Sequence, residues 1–357
     1  MDLFKDKEFI EVLKQIEESS WLSEYISQFP PEVLSNIIRI FGTKYHIKQR
    51  GESIVEVCPK DVSDLTIEGF RYTFAEPMNG IRIISGNING LSDLKLLNGG
   101  NEQKLSVIHY CVKGRVEIQT ADGKYAFMKP GVFCVESRKN YEKNFNFHGE
   151  DYEGVEIAFE LDKFTDEDIS FLDRLGLYVS KLEERYDANA DYIIGNVSDE
   201  LKTAEERLKM LMHESDADNI TLLVAVIQIW DLLRTGHVQT DDSSFYLTKG
   251  QRSIVYEVEK TVTEDLQKDY TTEELAKRYN ISSVSLNKYF GIMFGGSIHK
   301  YLQDRRMKEA ARLLADTNKS IAEIAQSVGY ENQSKFGSVF KRKYGMAPLE
   351  YRRCRGR

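Results

Sequence analysis

The chain has few cysteines, and those it has are scattered over 357 residues. No two of them form a Cys-x-x-Cys pair, so the sequence indicates neither a zinc site nor a disulfide framework, and reduced thiols are expected. Histidines are also few, and none shows His-x-His or His-x-x-x-His spacing. Because a catalytic metal needs three or four ligands, we expect no metal and no other cofactor. The cysteines are Cys58, Cys111, Cys134 and Cys354, and the histidines are His46, His109, His148, His213, His237 and His299.

Long apolar runs are missing as well. The most apolar helical run, Leu222 to Trp230, is far shorter than the stretch of about 20 residues that spans a bilayer. The chain begins Met-Asp-Leu-Phe-Lys-Asp, which lacks the basic-then-apolar order of a signal peptide. These absences predict a soluble cytoplasmic protein that does not contact a membrane.

Charge is distributed unevenly along the chain. The formal net charge of −9 by itself argues against a nucleic-acid partner. Residues 246–357, however, hold 21 Lys and Arg against 13 Asp and Glu, a balance of +8, whereas residues 1–245 carry −17. A basic terminal domain attached to an acidic body is typical of a DNA-binding module joined to a separate module. The length and the 41% hydrophobic content are sufficient for two or three domains with packed cores.

One sequence pattern occurs twice in the basic C-terminal region. The first copy begins at Glu274 and the second at Glu323. From Phe290 in the first copy and from Phe340 in the second, the same residue types follow at the same offsets. They are an aromatic at plus four, Gly at plus five, a small residue at plus seven and Tyr at plus eleven. A repeat of this kind predicts one supersecondary unit formed twice.

The residue types within each copy predict two helices joined by a tight turn. Ala276 and Ala325 are small enough for a second helix to cross closely. Asn280 and Gly329 occupy turn positions that need a left-handed backbone. Two helix-turn-helix motifs in tandem are therefore predicted. The capping-box pairs are Thr271 with Glu274 and Ser320 with Glu323, and the apolar pairs of the second helices are Leu286 with Phe290 and Phe336 with Phe340.

These residues resemble the AraC/XylS family of bacterial transcription regulators over residues 246–357. Two departures occur: Asn280 replaces the usual Gly, and Ile298 stands where the second copy has Pro348. The resemblance implies a regulator that binds double-stranded DNA as a homodimer, acts on RNA polymerase and carries an effector domain for a small molecule. It rests on Ile321-Ala322-Glu323-Ile324-Ala325 through Gly329-Tyr330, on Ser334, Phe336, Phe340-Lys341, Gly345, Pro348 and Tyr351-Arg352, and on Arg306, Ala310-Ala311 and Leu313-Leu314 in the joining helix.

The outward positions of the two second helices are the candidate base-reading residues. Such a helix enters the major groove with its N-terminal half against the base edges, and the two helices are expected in successive grooves about 34 Å apart. Lys and Arg beyond the reading turn suit phosphates. For any one of these residues the alternative is a solvated surface position. The base-reading candidates are Ser283, Val284, Asn287, Lys288, Gln333, Ser334, Lys335 and Ser338, of which the last four also match the AraC/XylS reading positions, and the phosphate candidates are Lys341, Arg342, Arg352 and Arg353.

The whole chain is predicted to be a multidomain α+β protein. Residues 1–50 are predicted as N-terminal helices, because apolar residues recur there at helical spacing. Residues 51–164 are predicted as a cupin-like β-barrel and residues 165–236 as helices. One apolar stripe of that helical region consists of Leu201, Leu208, Leu211 and Met212. Residues 237–245 are predicted as a polar linker to the all-α DNA-binding domain, residues 246–357.

The strand region resembles the small cupin-like barrel that many AraC-type regulators use as an effector domain. Many short strands with turn dipeptides and no helices between them favour a barrel or a double-sheet jelly roll. The likeness is carried by His109 to Arg115, Asp122-Gly123 and Lys129-Pro130-Gly131. His109 is either a hydrogen-bonded core residue or an effector contact. The candidate strands are Ser53–Val57, Gly69–Phe74, Ile81–Ser85, Leu105–Val112, Arg115–Thr120, Tyr125–Met128, Val132–Glu136 and Val155–Leu161, and the stretch from Asn87 to Gln103 is expected to be a loop.

The sequence alone is compatible with three functions. The first is a transcription regulator controlled by a small-molecule effector bound in the N-terminal domain. The second is an enzyme on the cupin-like barrel with DNA binding as a tether, although the sequence shows no metal cluster and no convincing Ser-His-Asp or Cys-His constellation. The third is a DNA-binding protein whose N-terminal half only oligomerises. The apolar stripes of residues 165–236 serve either a dimer interface or a cover for the barrel.

Overall fold

The computed structural model describes two compact units, unit 1 (Met1–Tyr246) and unit 2 (Leu247–Arg357). The predicted helices between residues 2 and 41 lie outside the described residues. Residues 45–50, included in the predicted helical region, form a strand whose backbone pairs with that of residues 54–59. The described residues are 45–50, 54–59, 69–89, 95–97, 105–119, 123–138, 144–147, 151–178, 192–214, 217–236, 238–239 and 245–355.

Unit 1 is built on two β-sheets. The strands are β1 (Tyr45–Arg50), β2 (Ile54–Pro59), β3 (Gly69–Met78), β4 (Ile81–Asn89), β5 (Lys95–Leu97), β6 (Leu105–Lys113), β7 (Val116–Gln119), β8 (Tyr125–Met128), β9 (Val132–Arg138), β10 (Asn144–Phe147), β11 (Asp151–Glu160), β12 (Tyr192–Val197), β13 (Val238–Gln239) and β14 (Tyr246–Leu247), the last at the boundary of the units. Over the described residues, the larger sheet has the order β1-β2-β3-β4-β11-β6-β9-β12-β13 and the smaller β14-β8-β7-β10-β5. Neighbouring strands of the larger sheet are antiparallel throughout.

All eight predicted strands overlap observed ones, and the coarse prediction of a mixed sheet-and-helix protein with a helical C-terminal domain is confirmed. The two sheets are open in the described part of the chain, because β1 and β13 are edges of the larger sheet and β14 and β5 are edges of the smaller. The described residues thus form a pair of open sheets, and they do not show the predicted cupin-like β-barrel.

Several short strands lie where the sequence predicts other structure. β5 lies inside the predicted loop, and β12 lies inside the predicted helical region 165–236. β12 pairs with β9 over five residue pairs, from Tyr192 opposite Glu136 to Asn196 opposite Val132. Strands this short owe their structure to a neighbouring strand more than to their own residue pattern, so the local sequence carries little signal for them.

The predicted linker 237–245 is anchored to the sheets at both ends. Val238 and Gln239 pair with Val197 and Asn196 of β12. At the other end Phe245 is fully buried, and its carbonyl accepts a hydrogen bond of 2.8 Å from the Phe127 N–H. The polar residues 240–244 between these anchors lie outside the described residues.

The helices of unit 1 pack on one face of the larger sheet. The described α-helices are α1 (Asp166–Arg174), α2 (Asp199–His213) and α3 (Asn219–Thr235), and each begins on a side-chain cap, Thr165, Ser198 or Asp218. Ile108 of β6 faces the core that these helices share with the sheet, where Phe159 and Trp230 meet edge to face at 5.1 Å. Cys111 of the same strand faces a second core, which includes residues of the smaller sheet.

Unit 2 is helical apart from its first residue, which belongs to β14. Its helices are α4 (Lys249–Glu264), α5 (Thr272–Arg278), α6 (Ser283–Phe294), α7 (Ile298–Asp316), α8 (Ile321–Ser327), α9 (Gln333–Tyr344) and α10 (Pro348–Arg355). α7 joins the two repeats and contributes Met307, Ala310 and Leu314 to the core beneath α8 and α9. Among the described helices of both units, none combines the length and apolarity needed to cross a membrane.

Candidate DNA-binding surface

The two predicted helix-turn-helix motifs are α5 with α6 and α8 with α9, and they begin in the same way. The hydroxyl of Thr271 accepts the N–H of Glu274, and the Glu274 carboxylate accepts the N–H of Thr271 at 3.1 Å. Ser320 and Glu323 repeat this capping box with a carboxylate contact of 2.7 Å. The backbone hydrogen bonds lower the pKa of Glu274 and of Glu323, so both carboxylates stay ionised near the positive end of a helix.

The turns of the two motifs have the same backbone geometry although their residues differ. Asn280 has a φ of 55° and Gly329 a φ of 80°. In each turn the next residue's N–H donates to the carbonyl of the buried alanine, to Ala276 at 3.1 Å and to Ala325 at 2.9 Å. Asn280 is the one non-glycine residue with positive φ in the part of the chain that the structure describes. The first turn is therefore intact, because Asn tolerates the left-handed conformation better than most residues.

The second helices of the motifs, α6 and α9, also match each other. Each has 12 residues and starts on a polar N-cap, Ser282 or Asn332, whose side chain accepts a backbone N–H of the first turn. Each ends on a glycine in the left-handed conformation, Gly295 with φ 81° or Gly345 with φ 75°. Defined ends at both termini hold α6 and α9 at fixed length.

The repeated tails of the sequence form repeated aromatic clusters. In each cluster the tyrosine at plus eleven stands edge-on to the first phenylalanine, with interplanar angles of 77° and 85°. The ring centroids within a cluster are 4.6–5.4 Å apart. These contacts pack each reading helix against the helix that follows it, α7 or α10. The clusters are Phe290, Phe294 and Tyr301 in the first motif and Phe340, Tyr344 and Tyr351 in the second.

The predicted base-reading residues lie on α6 and α9, away from the buried positions. Seven of the eight are exposed and Ser283 is half-buried, while the inward phenylalanines and Leu286 are fully buried. Val284, on the first turn of α6, is 80% exposed although its side chain is apolar. On α9 the Ser338 hydroxyl donates to the Ser334 carbonyl at 2.9 Å. Gln333 and Lys335 are the longer exposed side chains of the first turn of that helix. Both reading faces are thus open to a partner.

The predicted phosphate contacts separate into two kinds. Lys341 and Arg342 are exposed on the last turn of α9, and Arg353 is exposed on α10. Arg352 is half-buried, and its guanidinium donates to the carbonyls of Leu314 at 3.4 Å and Lys319 at 2.6 Å. In this structure Arg352 closes the connection from α7 to α8, a role that the sequence pattern did not predict.

Arg306 is a functional candidate that the sequence pattern does not reveal. Its position on the joining helix was predicted, but its contacts were not. It is 6% exposed, and its Nε donates to the Leu266 carbonyl at 2.8 Å. Its Nη2 donates to the Lys268 carbonyl and to the Asp269 carboxylate, both at 2.9 Å. These partners lie 37–40 residues earlier in the chain, so no local pattern reveals them.

The other predicted candidate, His109, lies in unit 1 on β6. Its Nδ1 is 3.2 Å from the Glu156 carboxylate on the neighbouring β11, and the two side chains are 9% and 25% exposed. On the other side His109 is opposite Cys134 of β9. Burial raises the pKa of the nearby Cys111 thiol to about 12. Over the described residues, no three His, Cys, Asp or Glu side chains are grouped as a metal site requires.

One known protein family matches the region of the C-terminal motifs. A family model described as "Helix-turn-helix domain" matches residues 275–354, which run from α5 into α10. The matched segment therefore begins within the first motif and includes the joining helix, which carries Arg306, and the whole second motif.

Curated relatives and a solved domain are similar to parts of the chain. The virulence regulon transcriptional activator VirF of Yersinia enterocolitica is 23% identical over 183 residues, which are 51% of this chain and 67% of VirF. The Msm operon regulatory protein of Streptococcus mutans is 30% identical over 132 residues, 37% of this chain and 44% of that protein. The C-terminal domain of AraT, a response regulator from Geobacillus stearothermophilus, is 36% identical, covers 29% of this chain and 87% of that one, and has a TM-score of 0.28. About a third of VirF and more than half of the Streptococcus protein lie outside the likeness.

Proposed function

We propose that the whole chain is a sequence-specific transcription regulator of the AraC/XylS family, not an enzyme, and that its C-terminal unit, an AraC-type helix-turn-helix domain, binds the DNA. The observation that carries the proposal is the pair of exposed reading faces on α6 and α9, in a unit with a formal charge of +8. Double-stranded DNA is the partner, because its major groove admits an α-helix and displays base edges to it. The relatives reported above are named as regulators of transcription or of an operon.

The two reading helices differ in chemistry, so we propose two unequal half-sites about 10 bp apart. Val284 suits the methyl group of thymine, and Asn287 suits adenine. Lys288 and Lys335 suit the guanine acceptors, and Gln333 suits adenine in the second half-site. Ser283, Ser334 and Ser338 complete the reading positions, and Lys341, Arg342 and Arg353 contact phosphates.

Replacing Gln333 or Lys288 by Ala is expected to weaken binding to the preferred operator by about 1–3 kcal/mol, because one base-specific pair is lost. Base preference should relax in one half-site only. The operator is obtained by selection from random duplex DNA with the full-length protein. Affinity is then measured for a panel of single-base changes at two salt concentrations.

Arg342→Ala and Lys341→Ala are the matched comparison, because both residues are exposed on the same helix as Gln333. They should weaken all sequences equally and reduce the salt dependence by about one counterion. A uniform loss for Gln333→Ala, with base preferences intact, places the reading face elsewhere on α9. A full-length protein that selects no sequence from the pool contradicts the proposed function.

We place the effector contact of this regulator in unit 1, at His109 and Glu156, and interpret the two sheets as its cupin-like effector module. His109, Cys134 and Glu156 lie side by side on neighbouring strands. By strand alternation they share the face of the larger sheet whose core includes Cys111. Tyr72, Phe74 and Tyr152 pack on that same core. A polar pair beside aromatic rings suits a small molecule with hydrogen-bonding groups at one end and an apolar face at the other.

A small metabolite that binds at this position should stabilise unit 1, and His109→Gln should abolish the effect. At 100 times its dissociation constant a ligand adds about 2.7 kcal/mol to the free energy of unfolding. Sugars, amino acids and aromatic acids are screened against the full-length protein by tryptophan fluorescence during thermal unfolding. The two tryptophans, Trp21 and Trp230, both precede unit 2, so the signal reports unit 1.

His213→Gln is the control for the effector contact, because His213 is exposed at the end of α2 in the same unit. An unchanged response in His109→Gln moves the effector contact away from this pair. If none of the compounds shifts the transition while operator binding is intact, the alternative that unit 1 only oligomerises gains support.

We further propose that α3 supplies the homodimer contact and that RNA polymerase is the second protein partner, in the cytoplasm. One face of α3 buries Leu222, Val226 and Trp230 in the core of unit 1. On the same helix Ile220 is 73% exposed and Val224 is 57% exposed. Since these two residues are one helical turn apart, they form an exposed apolar stripe that a second copy of α3 would cover.

A further inference from the structure

Arg306, on the helix that joins the two motifs, contacts the segment that leads into the first motif and the turn of the second. On the side of the first motif it binds the segment immediately before α5 through three hydrogen bonds, to the carbonyls of Leu266 and Lys268 and to the Asp269 carboxylate. A planar guanidinium presents its donors in a fixed fork, so three simultaneous bonds define its orientation. The segment that leads into the first motif is thereby fixed to α7.

On the side of the second motif the same guanidinium lies against the turn between α8 and α9. A Cβ atom placed on Gly329 would be 2.8 Å from the Arg306 guanidinium carbon and 2.6 Å from the Leu266 carbonyl oxygen. The guanidinium carbon is also 6.0 Å from the centre of the Tyr330 ring. The turn of the second motif therefore approaches both Arg306 and the backbone before the first motif so closely that only glycine fits.

Two other hydrogen bonds of α7 each join it to a single motif. Lys343 of α9 donates to the Asp304 carboxylate at 2.7 Å, and the Tyr344 hydroxyl donates to the Met307 carbonyl at 3.3 Å. Both of these tie the second motif to α7. Arg306 differs from them because it joins the segment before the first motif to the turn of the second. Its guanidinium is buried, which strengthens its charge-assisted hydrogen bonds to the Leu266 and Lys268 carbonyls.

We propose that Arg306 is a positioning residue that fixes α6 relative to α9 and thereby sets the number of base pairs between the two half-sites. The inference rests on the proposed function, since it concerns how the two reading helices engage one DNA duplex. A rigid joint favours a single spacing, because any other spacing requires the motifs to rotate against the bonds of Arg306. A loosened joint accepts neighbouring spacings with less loss of affinity.

The test compares the selected operator with versions in which one base pair is inserted or removed between the half-sites. Full-length wild type, Arg306→Gln, Arg306→Lys and Asp269→Ala are titrated with each operator, and the ratio of native-spacing to altered-spacing affinity is measured. We expect this ratio to fall about tenfold in Arg306→Gln, which corresponds to the loss of about one charged hydrogen bond. The ratio for Arg306→Lys should lie between those of Arg306→Gln and wild type, because the point charge of Lys cannot bind all three acceptors at once.

Arg312→Gln is the matched control, since Arg312 lies on the same helix and forms ion pairs with Glu309 and Asp316 of α7 itself. Its spacing ratio should equal that of wild type. A change that only destabilises the fold lowers the active fraction equally for every operator and leaves the ratio unchanged, so the ratio distinguishes positioning from folding. The active fraction of each variant is measured by stoichiometric titration.

Asp269→Ala provides a second measurement of the same contact if the Arg306 variants do not fold. The Asp269 side chain is 88% exposed, and its removal breaks one of the three bonds, so a smaller fall of about twofold to threefold is expected. An unchanged ratio in Asp269→Ala, and in any Arg306 variant that folds, overturns the inference. Failure of the wild type to select any DNA sequence overturns the proposed function instead.

Discussion

Replacing Gly329 by Ala is expected to lower the free energy of unfolding of unit 2 by about 2–5 kcal/mol. The left-handed backbone, with φ of 80°, costs a non-glycine residue about 1–2 kcal/mol. The added methyl group would also lie 2.6 Å from the Leu266 carbonyl oxygen, and overpacking of this kind costs about 1–3 kcal/mol. Far-UV circular dichroism of the full-length protein follows the unfolding. Tryptophan fluorescence, which reports unit 1, should be unchanged.

Gly345→Ala separates the two contributions. Gly345 has a φ of 75°, but a Cβ placed there meets no atom of the described residues within 4 Å. This variant should therefore lose only the backbone part, about 1–2 kcal/mol. Equal losses for Gly329→Ala and Gly345→Ala would contradict the close approach of Leu266 and Arg306 to the second turn.

The glycine of the second turn thus has two roles in one molecule. It supplies the left-handed conformation that a helix-turn-helix needs, and it lets the loop before the first motif approach the second. The first turn needs only the former, since Asn280 supplies its positive φ. This difference gives a physical reason why Asn occurs in the first copy of the repeat and Gly in the second.

The helix-turn-helix motifs were predictable because their determinants are local. Each capping box and each set of aromatic offsets spans no more than about three helical turns, each turn depends on a single residue, and each of these features forms the structure that its spacing indicates. The exposed reading positions follow from the same periodicity, since Leu286 and Phe336 fix which face of each helix is buried. The contacts of those positions with DNA remain predictions.

What the sequence could not reveal depends on residues far apart in the chain. The partners of Arg306 precede it by 37–40 residues, and β12 and β13 are strands because of the backbones beside them. The burial of Phe245 likewise depends on its contact with β8. In each case the local pattern fits a solvent-exposed or irregular segment equally well, so only the tertiary structure decides.

α2 also contains a feature that the local sequence pattern does not reveal, although the helix itself was predicted. The stripe of Leu201, Leu208, Leu211 and Met212 is buried as its spacing indicates. The same face also buries Glu205, which is 1% exposed, and neither of its carboxylate oxygens has a hydrogen-bond partner among the residues that the structure describes. Burial raises the pKa of Glu205 to about 8. The group is therefore largely protonated at neutral pH.

The surroundings of Glu205 contain further titratable groups. Tyr110 of β6 has a pKa raised to about 12, first by burial and then by the charges of Glu205 and Glu206. Lys209, one turn along α2, pairs with Glu153 of β11, and burial lowers the pKa of Lys209. Because these groups are common to wild type and to a Glu205 variant, the difference between the two proteins isolates the Glu205 carboxyl.

Glu205→Gln is expected to make unit 1 more stable than wild type at pH 8 by about 4 kcal/mol, and nearly equal to it below pH 4.5. The folded-state pKa of about 8 lies above the ordinary value of 4.5, so the folded protein keeps a proton that the unfolded chain releases. Between these values the wild type loses up to about 1.4 kcal/mol of stability per pH unit, and the uncharged amide does not. Urea unfolding followed by tryptophan fluorescence at pH 5, 6, 7 and 8 measures the difference.

Glu206→Gln, at the exposed neighbouring position, is the control for Glu205→Gln and should follow the wild-type pH dependence. Glu205→Met tests the same carboxyl without a buried amide. If it also removes the pH-dependent loss, the cause is the ionisation of Glu205, since Met has no titratable group. A constant difference between wild type and Glu205→Gln from pH 5 to pH 8 would show that the Glu205 carboxyl titrates as it does in the unfolded chain. Burial in the core of unit 1 would then carry no cost for its ionised form.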